Sequence, residues 1–175
     1  MITDAGLRAR LTGTVFVGLP PEEAFALFPP DGERAWAKGW EPRFPSPDGE
    51  ETEPGTVFLT SHSGRESIWT VTECEAGASI GYAVTTPGER SGVVRVVCEP
   101  APNGTRATVS YDLTALSAEA NEDLRRFATD YATFLSHWER TIAEATGQRS
   151  RRSSAWQPSS SNPAPAISAD ICQSD

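Results

Sequence analysis

The side chains that could carry acid–base or nucleophilic chemistry are few and scattered along the chain. The only histidines are His62 and His137. His62 lies between Ser61 and Ser63, but a serine nucleophile needs a base aligned by a third group, and neighbours on a strand point to opposite faces. His137 lies beside a helical apolar stripe, three residues after Phe134, and belongs to no recognisable constellation. The sequence therefore predicts no catalytic residue.

Motifs for metals and cofactors are also missing from the sequence. Cys74, Cys98 and Cys172 are widely spaced, with no CxxC pair and no histidine at zinc-ligand spacing. We interpret Cys74 and Cys98 as small apolar strand residues. The sequence has no phosphate-binding loop, no glycine-rich dinucleotide fingerprint and no HExxH motif. We therefore expect no metal ion and no cofactor.

Three charged residues lie on predicted strands, and the face that each occupies decides whether its charge lies in the interior. Alternation along the strands places Asp112 and Glu73 on solvent-exposed faces. Arg95 lies between Val94 and Val96, so it points outward if Val94 faces inward. The reverse register would bury Arg95 as a cation able to bind a carboxylate ligand.

The longest predicted element is a helix from Ser117 to Gly147. Its apolar residues recur at steps of three and four, and they are Leu124, Phe127, Ala128, Tyr131, Phe134, Leu135, Trp138, Ile142 and Ala145. Ser117 is suited to be the N-cap, and Gly147 stands where a C′ glycine belongs. At about 1.5 Å per residue the helix is roughly 43 Å long, so it needs a broad apolar surface to pack against.

An antiparallel sheet is predicted to supply that surface. A first strand starts at Arg8, a short helix begins at Pro21, and Asp31 is predicted to cap a second one. Residues 39–55 are rich in proline and glycine, and at most Trp40–Phe44 forms an edge strand. Further strands follow at Thr56–His62, Glu66–Glu75, Ser79–Thr85, Arg90–Glu99 and Thr105–Thr114. Their short turns imply antiparallel neighbours, so the predicted fold class is α+β.

Composition predicts one soluble domain over residues 1–147 and a disordered tail over 148–175. The tail combines serine and proline with a short basic cluster of Arg149, Arg151 and Arg152. That cluster could attract anions or receive a phosphate, but we interpret it as a solvated linker. The net charge of −9 argues against nucleic acid as a partner. With no signal pattern and no apolar run long enough to span a membrane, the predicted location is cytoplasmic.

Five blocks of sequence resemble one known superfamily. They are Leu19–Phe28, the Glu33-Arg34-x-Trp36-x-x-Gly39-Trp40 block, Glu53–Phe58, Trp69–Thr72, and the Tyr131, Trp138 and Glu139 positions of the long helix. In this order they resemble the START/Bet v 1-like (SRPBCC) superfamily, whose bacterial members include polyketide cyclase/dehydrase-like and Aha1-like proteins. The resemblance covers about residues 9–146 and implies a helix-grip fold, a curved sheet wrapped around the long helix. The fold usually has seven strands, whereas six are predicted here besides Trp40–Phe44.

The resemblance further implies an apolar cavity between the sheet and the long helix. The side chains expected to line it are Trp36, Trp40, Phe58, Trp69, Tyr82, Val94, Tyr111, Phe127, Tyr131, Phe134 and Trp138. The alternative is that these side chains simply fill the core and leave no cavity. On the long helix, we interpret Tyr131 as a cavity wall residue and Leu135 as a core residue.

Three functions remain open at this stage. The leading hypothesis is binding of a hydrophobic or aromatic small molecule, without turnover, by a monomer or homodimer. A polyketide cyclase/dehydratase-like enzyme is the second, and it requires a polar side chain in the cavity, with Tyr82, Tyr111, Tyr131, His137 and Arg95 as candidates. The third is an Aha1-like protein-interaction module, which predicts an exposed apolar or strongly charged patch.

Overall fold

The computed structural model describes residues 5–147, so the predicted tail and Cys172 lie outside the described residues. Its elements in chain order are β1 (Arg8–Val17), α1 (Pro21–Phe25), α2 (Pro30–Glu33), β2 (Val57–His62), β3 (Arg65–Glu75), β4 (Ser79–Thr86), β5 (Arg90–Ala101), β6 (Gly104–Ala115) and α3 (Ala118–Ala145). The strands form one antiparallel sheet in the order β1-β6-β5-β4-β3-β2, which leaves β1 and β2 at the edges. The predicted α+β helix-grip architecture is confirmed.

Alternation of apolar and polar residues gives the sheet one buried face. In β6 the side chains of Ala107, Val109, Tyr111 and Leu113 are buried, while the residues between them are half-buried. β1 pairs with β6 along its whole length, from Arg8 opposite Thr114 to Val17 opposite Thr105. Each strand begins and ends within one or two residues of its predicted limits.

The two short helices pack over one end of the sheet, and one predicted cap is wrong. α2 begins at Pro30 with Pro29 as its N-cap, because a proline at the first helical position already has the required φ angle. Asp31 therefore lies inside the first turn, where its Oδ1 accepts a hydrogen bond from Nε of Arg34 at 2.9 Å. The indole N–H of Trp36 donates to the Leu27 carbonyl at 2.8 Å and holds the segment after α2 against α1.

The proline-rich stretch after the short helices forms no strand within residues 34–56. Near Trp40–Phe44 it forms one isolated bridge with β2, in which the backbone N–H of Arg43 and of Leu59 each donate to the other residue's carbonyl at 2.9 Å. Pro42 and Pro45 flank this bridge and have no N–H to extend it. The possible edge strand at Trp40–Phe44 is thus reduced to one residue pair.

The long helix α3 follows the predicted pattern closely. The Ser117 hydroxyl accepts a hydrogen bond from the Ala120 N–H at 3.2 Å, and Gly147 has a φ of +70°, as a C′ glycine should. Its buried residues are Ala120, Leu124, Phe127, Tyr131, Leu135, Trp138 and Ile142. α3 packs mainly over β1 and β6, and the approach to β1 is so close that a Cβ at Gly13 would meet Leu135 Cδ1 at 2.4 Å.

The core lies between the concave face of the sheet on one side and α1, α2 and α3 on the other. Within residues 5–147, no helix combines the length and the apolar composition that crossing a lipid bilayer requires.

Candidate functional site

The eleven residues predicted to line a cavity all lie in the core. Ten of them are buried, and Phe134 is half-buried. The ten aromatic rings among them, together with that of Phe44, form two clusters, which we name by position. The sheet cluster consists of Trp40, Phe44, Phe58, Trp69 and Tyr82, and the helix cluster consists of Trp36, Tyr111, Phe127, Tyr131, Phe134 and Trp138.

The sheet cluster is built on cross-strand pairing. Phe58 of β2 lies directly opposite Trp69 of β3, and their rings stack with centroids 5.7 Å apart and an interplanar angle of 6°. Tyr82 of β4 meets both rings edge-on at 5.8 Å. The Trp69 indole N–H donates to the Thr60 hydroxyl at 3.0 Å, which satisfies its donor in the core.

The helix cluster joins α3 to β6. Tyr111 meets Phe127 at 5.4 Å and Tyr131 at 5.9 Å, both edge-on. Phe134 stacks against Tyr131 at 6.0 Å and also contacts Trp138 at 5.2 Å. Because Phe134 is the half-buried member, it lies between the interior rings and the surface.

One row of residues runs across the concave face and connects the two clusters. Val71, Tyr82, Val94, Tyr111 and Leu11 stand opposite one another in consecutive strands. Tyr82 and Tyr111 are therefore separated by two strand spacings, roughly 10 Å, with the shorter Val94 side chain between them. The predicted inward direction of Tyr82, Val94 and Tyr111 agrees with their burial.

Three tyrosine hydroxyls lie in this interior, and they differ in how they are satisfied. Tyr131 donates to the Val109 carbonyl at 2.6 Å, and Tyr82 donates to the Phe28 carbonyl at 3.2 Å. The Tyr111 hydroxyl is buried and has no hydrogen-bond partner among residues 5–147. Burial raises the pKa of all three phenols, so they remain protonated and can donate a hydrogen bond at neutral pH.

Two buried charged residues belong to the same region, and neither was predicted as a site residue. Glu33 is 1% exposed and Arg90 is 6% exposed. The negative charge of Glu33 adds to the burial effect in raising the pKa of Tyr82 and Tyr111, whereas Arg90 acts in the opposite direction on the pKa of Tyr111. Glu33 thus acts on the hydroxyls of both tyrosines, and Arg90 acts on that of Tyr111.

A signal for each of these charges exists in the sequence. Arg90 precedes Val94 by four residues in the same strand, so the period of two places both on one face. Glu33 precedes the buried Trp36 by three residues in a helical stretch, which places both on one side. The spacing of residues along one element does not show whether other parts of the chain cover a charged residue at the end of its inward face. For this reason neither residue was predicted as a site residue.

The other polar candidates lie away from the tyrosines or point outward. Nε of Arg95 donates to Oε1 of Glu73 on the convex face, which confirms the outward direction of both. Asp112 is bound by Nε and Nη2 of Arg8, each at 2.7 Å, also on the outer face. His137 is half-buried on α3, and its Nδ1 faces Arg140 Nη2 at 2.6 Å. Burial and the Arg140 charge lower the pKa of His137, so its neutral form is favoured.

Two clefts lie on the outer side of the fold, along α3 and the edge strand β1. The larger has a volume of about 850 Å³ and the smaller about 290 Å³. Of the predicted cavity residues, Tyr131 alone lines either cleft, and it lines the smaller one. Over residues 5–147 no group of three or more histidine, cysteine, aspartate or glutamate side chains is placed to hold a metal ion.

Comparison with solved structures gives the same fold. A Rhizobium leguminosarum protein superposes with a TM-score of 0.60 at 15% identity, over 80% of this chain and 97% of that one. DynU16, from the dynemicin biosynthetic locus, gives 0.55 at 15% identity over 79% of this chain and 48% of its own. Ara h 8.0201 gives 0.54 at 14% identity over 79% and 99%. Identities this low support the fold alone.

Comparison of the sequence gives a family. No match was found among curated proteins. Residues 8–150 match the family model described as polyketide cyclase / dehydrase and lipid transport, a match that covers most of the chain, from β1 past the end of α3. The chain therefore belongs to this polyketide cyclase/dehydrase and lipid transport family, as the resemblance to polyketide cyclase/dehydrase-like members of the SRPBCC superfamily implied.

Proposed function

We propose that the protein binds a hydrophobic or aromatic small molecule between the concave face of the sheet and α3, without turning it over. The observation that carries the proposal is the Tyr111 hydroxyl, which is buried without a hydrogen-bond partner among the described residues. Leaving such a group unsatisfied costs about 1–3 kcal/mol. An acceptor atom on an otherwise apolar ligand would recover this cost, which gives the site a reason to prefer a ligand over an empty core.

The proposed site lies over Val94, between Tyr82 and Tyr111. Two strand spacings separate these tyrosines, and the valine between them is too short to fill the same height above the sheet. Rings of the two clusters supply flat apolar walls, as expected for a pocket lined by aromatic side chains with few polar groups. The buried charges of Glu33 and Arg90 act on the Tyr111 hydroxyl, whose pKa Glu33 raises and Arg90 lowers.

Entry to this site would require one side chain to move, and Phe134 is the best candidate. It is half-buried, and it covers Tyr111 at a centroid distance of 6.1 Å. A rotation of Phe134 toward solvent would open a path from the surface to the Tyr111 hydroxyl. In the sheet cluster, Phe44 is also half-buried and contacts Phe58 at 5.7 Å, so it provides a matched control position.

The test compares two ligands that differ by one acceptor. We expect 2-acetylnaphthalene to bind about five-fold more tightly than 2-ethylnaphthalene, because a net hydrogen bond contributes about 1 kcal/mol. Tyr111→Phe should remove this difference, and Phe134→Ala should speed binding while Phe44→Ala leaves its rate unchanged. Saturable binding is measured by displacement of the dye ANS. A core that takes up neither the dye nor either naphthalene would refute the proposal.

Location and assembly belong to the same proposal. We propose a cytoplasmic protein that is a monomer or homodimer and does not bind nucleic acid, the last because of its net charge of −9. The interaction-module hypothesis stays a prediction. Large exposed apolar side chains are spread over four strands and the β6–α3 link, and they are Phe16, Val57, Ile68, Val93 and Leu116.

A second candidate function is a polyketide cyclase/dehydratase-like reaction, and the buried ionisable set favours it. Tyr111 keeps its proton and could donate a hydrogen bond to a ketone oxygen while Glu33, a buried carboxyl, accepts a proton from the adjacent carbon. Holding a flexible poly-ketone in one folded shape supplies the rest of the rate enhancement.

Turnover separates this candidate from simple binding. A poly-β-ketone thioester analogue is incubated with the protein, and cyclised product is followed by mass spectrometry. An enzyme of this type should give many product molecules per protein, and Glu33→Gln should abolish turnover while binding of 2-acetylnaphthalene persists. Product formation at no more than the uncatalysed rate would exclude the reaction.

A further inference from the structure

A groove runs along the outer surface of the helix-grip fold, between the edge strand β1 and α3. It consists of the two clefts of about 850 and 290 Å³, which meet at Ser136 and Glu139 because both side chains line both clefts. The larger cleft begins at Gly147, the last described residue, and the smaller one ends beside Ala132. The groove therefore follows the last four turns of α3.

One wall of this groove is the outer edge of β1, which no other strand within residues 5–147 covers. β1 pairs with β6 on one side only, and the backbone N–H of Phe16 points the other way, where Oε2 of Glu139 accepts its hydrogen bond at 2.8 Å. The Phe16 side chain is 44% exposed. By the alternation of an antiparallel strand, the N–H groups of Thr14 and Thr12 face the same way as that of Phe16. An edge of this kind is a template for an added segment of extended chain.

The groove also has a distinct charge pattern. Glu139 and Glu144 line the larger cleft, together with Arg140. Nη2 of Arg140 lies 2.6 Å from Nδ1 of His137, so part of the positive charge of Arg140 points along α3 toward His137. Two carboxylates and an apolar floor that includes Ile142 suit a segment that carries arginines and a large apolar side chain.

The chain itself contains such a segment directly after Gly147. Arg149, Arg151 and Arg152 come first, and Trp156 follows, nine residues after Gly147. Nine residues of extended chain span roughly 30 Å, whereas the helical distance from Gly147 back to Ala132 is about 23 Å. Trp156 can therefore reach the smaller cleft while the arginines pass the carboxylates.

We propose that residues 148–156 of this chain dock in the groove between β1 and α3. Arg149, Arg151 and Arg152 face Glu139 and Glu144, and the Trp156 indole occupies the smaller cleft. The segment closes the free edge of β1, which protects the sheet from pairing with another chain. A solvated tail, as composition predicts, is the alternative outcome.

The tryptophan content of the chain permits a direct test in the full-length protein. Each of the other tryptophans is at most 5% exposed, and they are Trp36, Trp40, Trp69 and Trp138. The part of the acrylamide quenching that disappears in the Trp156→Phe variant therefore reports on Trp156. We expect Trp156 to be quenched several-fold less than N-acetyltryptophanamide, with blue-shifted emission. Quenching equal to that of the free compound would overturn the proposal.

Variants of the groove locate the docked segment. Arg151→Glu and Glu144→Arg should each raise the quenching of Trp156, and the double variant should restore protection. Ser159→Glu, beyond the segment, is the charge control. Ala132→Arg should expel Trp156 from the smaller cleft, whereas Thr129→Arg, one turn away on α3, should not.

Two results would contradict docking in this groove within one chain. Protection of Trp156 that survives both Ala132→Arg and Glu144→Arg would place the segment elsewhere. Protection lost on dilution from micromolar to nanomolar protein would mean that the segment belongs to a second copy. Circular dichroism of each variant confirms that the sheet and α3 are intact.

Discussion

Replacing Tyr111 by phenylalanine tests whether the buried hydroxyl is unsatisfied in the free protein. The hydroxyl is buried without a partner among the described residues, and the cost of such a group is about 1–3 kcal/mol. Phenylalanine keeps the ring contacts with Phe127 at 5.4 Å and Tyr131 at 5.9 Å and removes the cost. We expect the free energy of unfolding to rise by about 1 kcal/mol, the lower end of that range.

Tyr131→Phe is the matched control. The Tyr131 hydroxyl donates to the Val109 carbonyl at 2.6 Å, so this variant loses a hydrogen bond that Tyr111→Phe does not. Its free energy of unfolding should fall by about 1 kcal/mol. The same chemical change on two neighbouring rings is therefore expected to have opposite signs.

Urea denaturation followed by tryptophan fluorescence measures both effects. At an m-value of about 1–3 kcal/mol per molar urea, a change of 1 kcal/mol moves the midpoint by about 0.3–1 M. Burial raises the pKa of both phenols, so neither ionises at the neutral pH of the assay. If Tyr111→Phe destabilises the protein as much as Tyr131→Phe, the hydroxyl is already satisfied without a ligand. The physical basis of the proposed binding site then fails.

Three further predictions concern the sheet. Burial raises the pKa of Cys98 to about 12, so at pH 8 only about one thiol in 10,000 is ionised, and iodoacetamide should label it in urea but not in the native protein. Arg8 lowers the pKa of Asp112, so this pair stabilises the fold above the ordinary carboxyl pKa and stabilises it less as the pH falls below that value. Asp112→Asn should therefore slightly reduce the loss of the urea midpoint between about pH 5 and 2. An unchanged dependence of the midpoint on pH would contradict this prediction. Gly92→Ala should destabilise by more than Gly13→Ala, because its Cβ would meet a backbone oxygen of the next strand at 2.0 Å and not a side-chain methyl; equal unfolding midpoints would refute it.

Local sequence patterns were sufficient for the elements of this fold. The alternation in β6 and the three-and-four spacing in α3 reflect the geometry of single elements, so each could be read without knowing its neighbours. The caps of α3 are local too, and Ser117 and Gly147 act as predicted. Alternation left two directions open for Arg95, outward if Val94 faces inward and buried in the reverse register, and its pairing with Glu73 shows that it points outward.

Properties that depend on several elements at once were decided only by the tertiary structure. Asp31 is not a cap because the preceding prolines start α2 earlier. Glu33 and Arg90 are buried because α2 and the end of β5 are covered by other parts of the chain, which no period in the sequence reveals. The sequence by itself determined which residues of a strand or of α3 share one face. The register of the strand pairs and the packing of the helices over the sheet decided which inward side chains contact one another. They left the Tyr111 hydroxyl without a hydrogen-bond partner among the described residues, whereas the neighbouring Tyr131 hydroxyl reaches a backbone carbonyl.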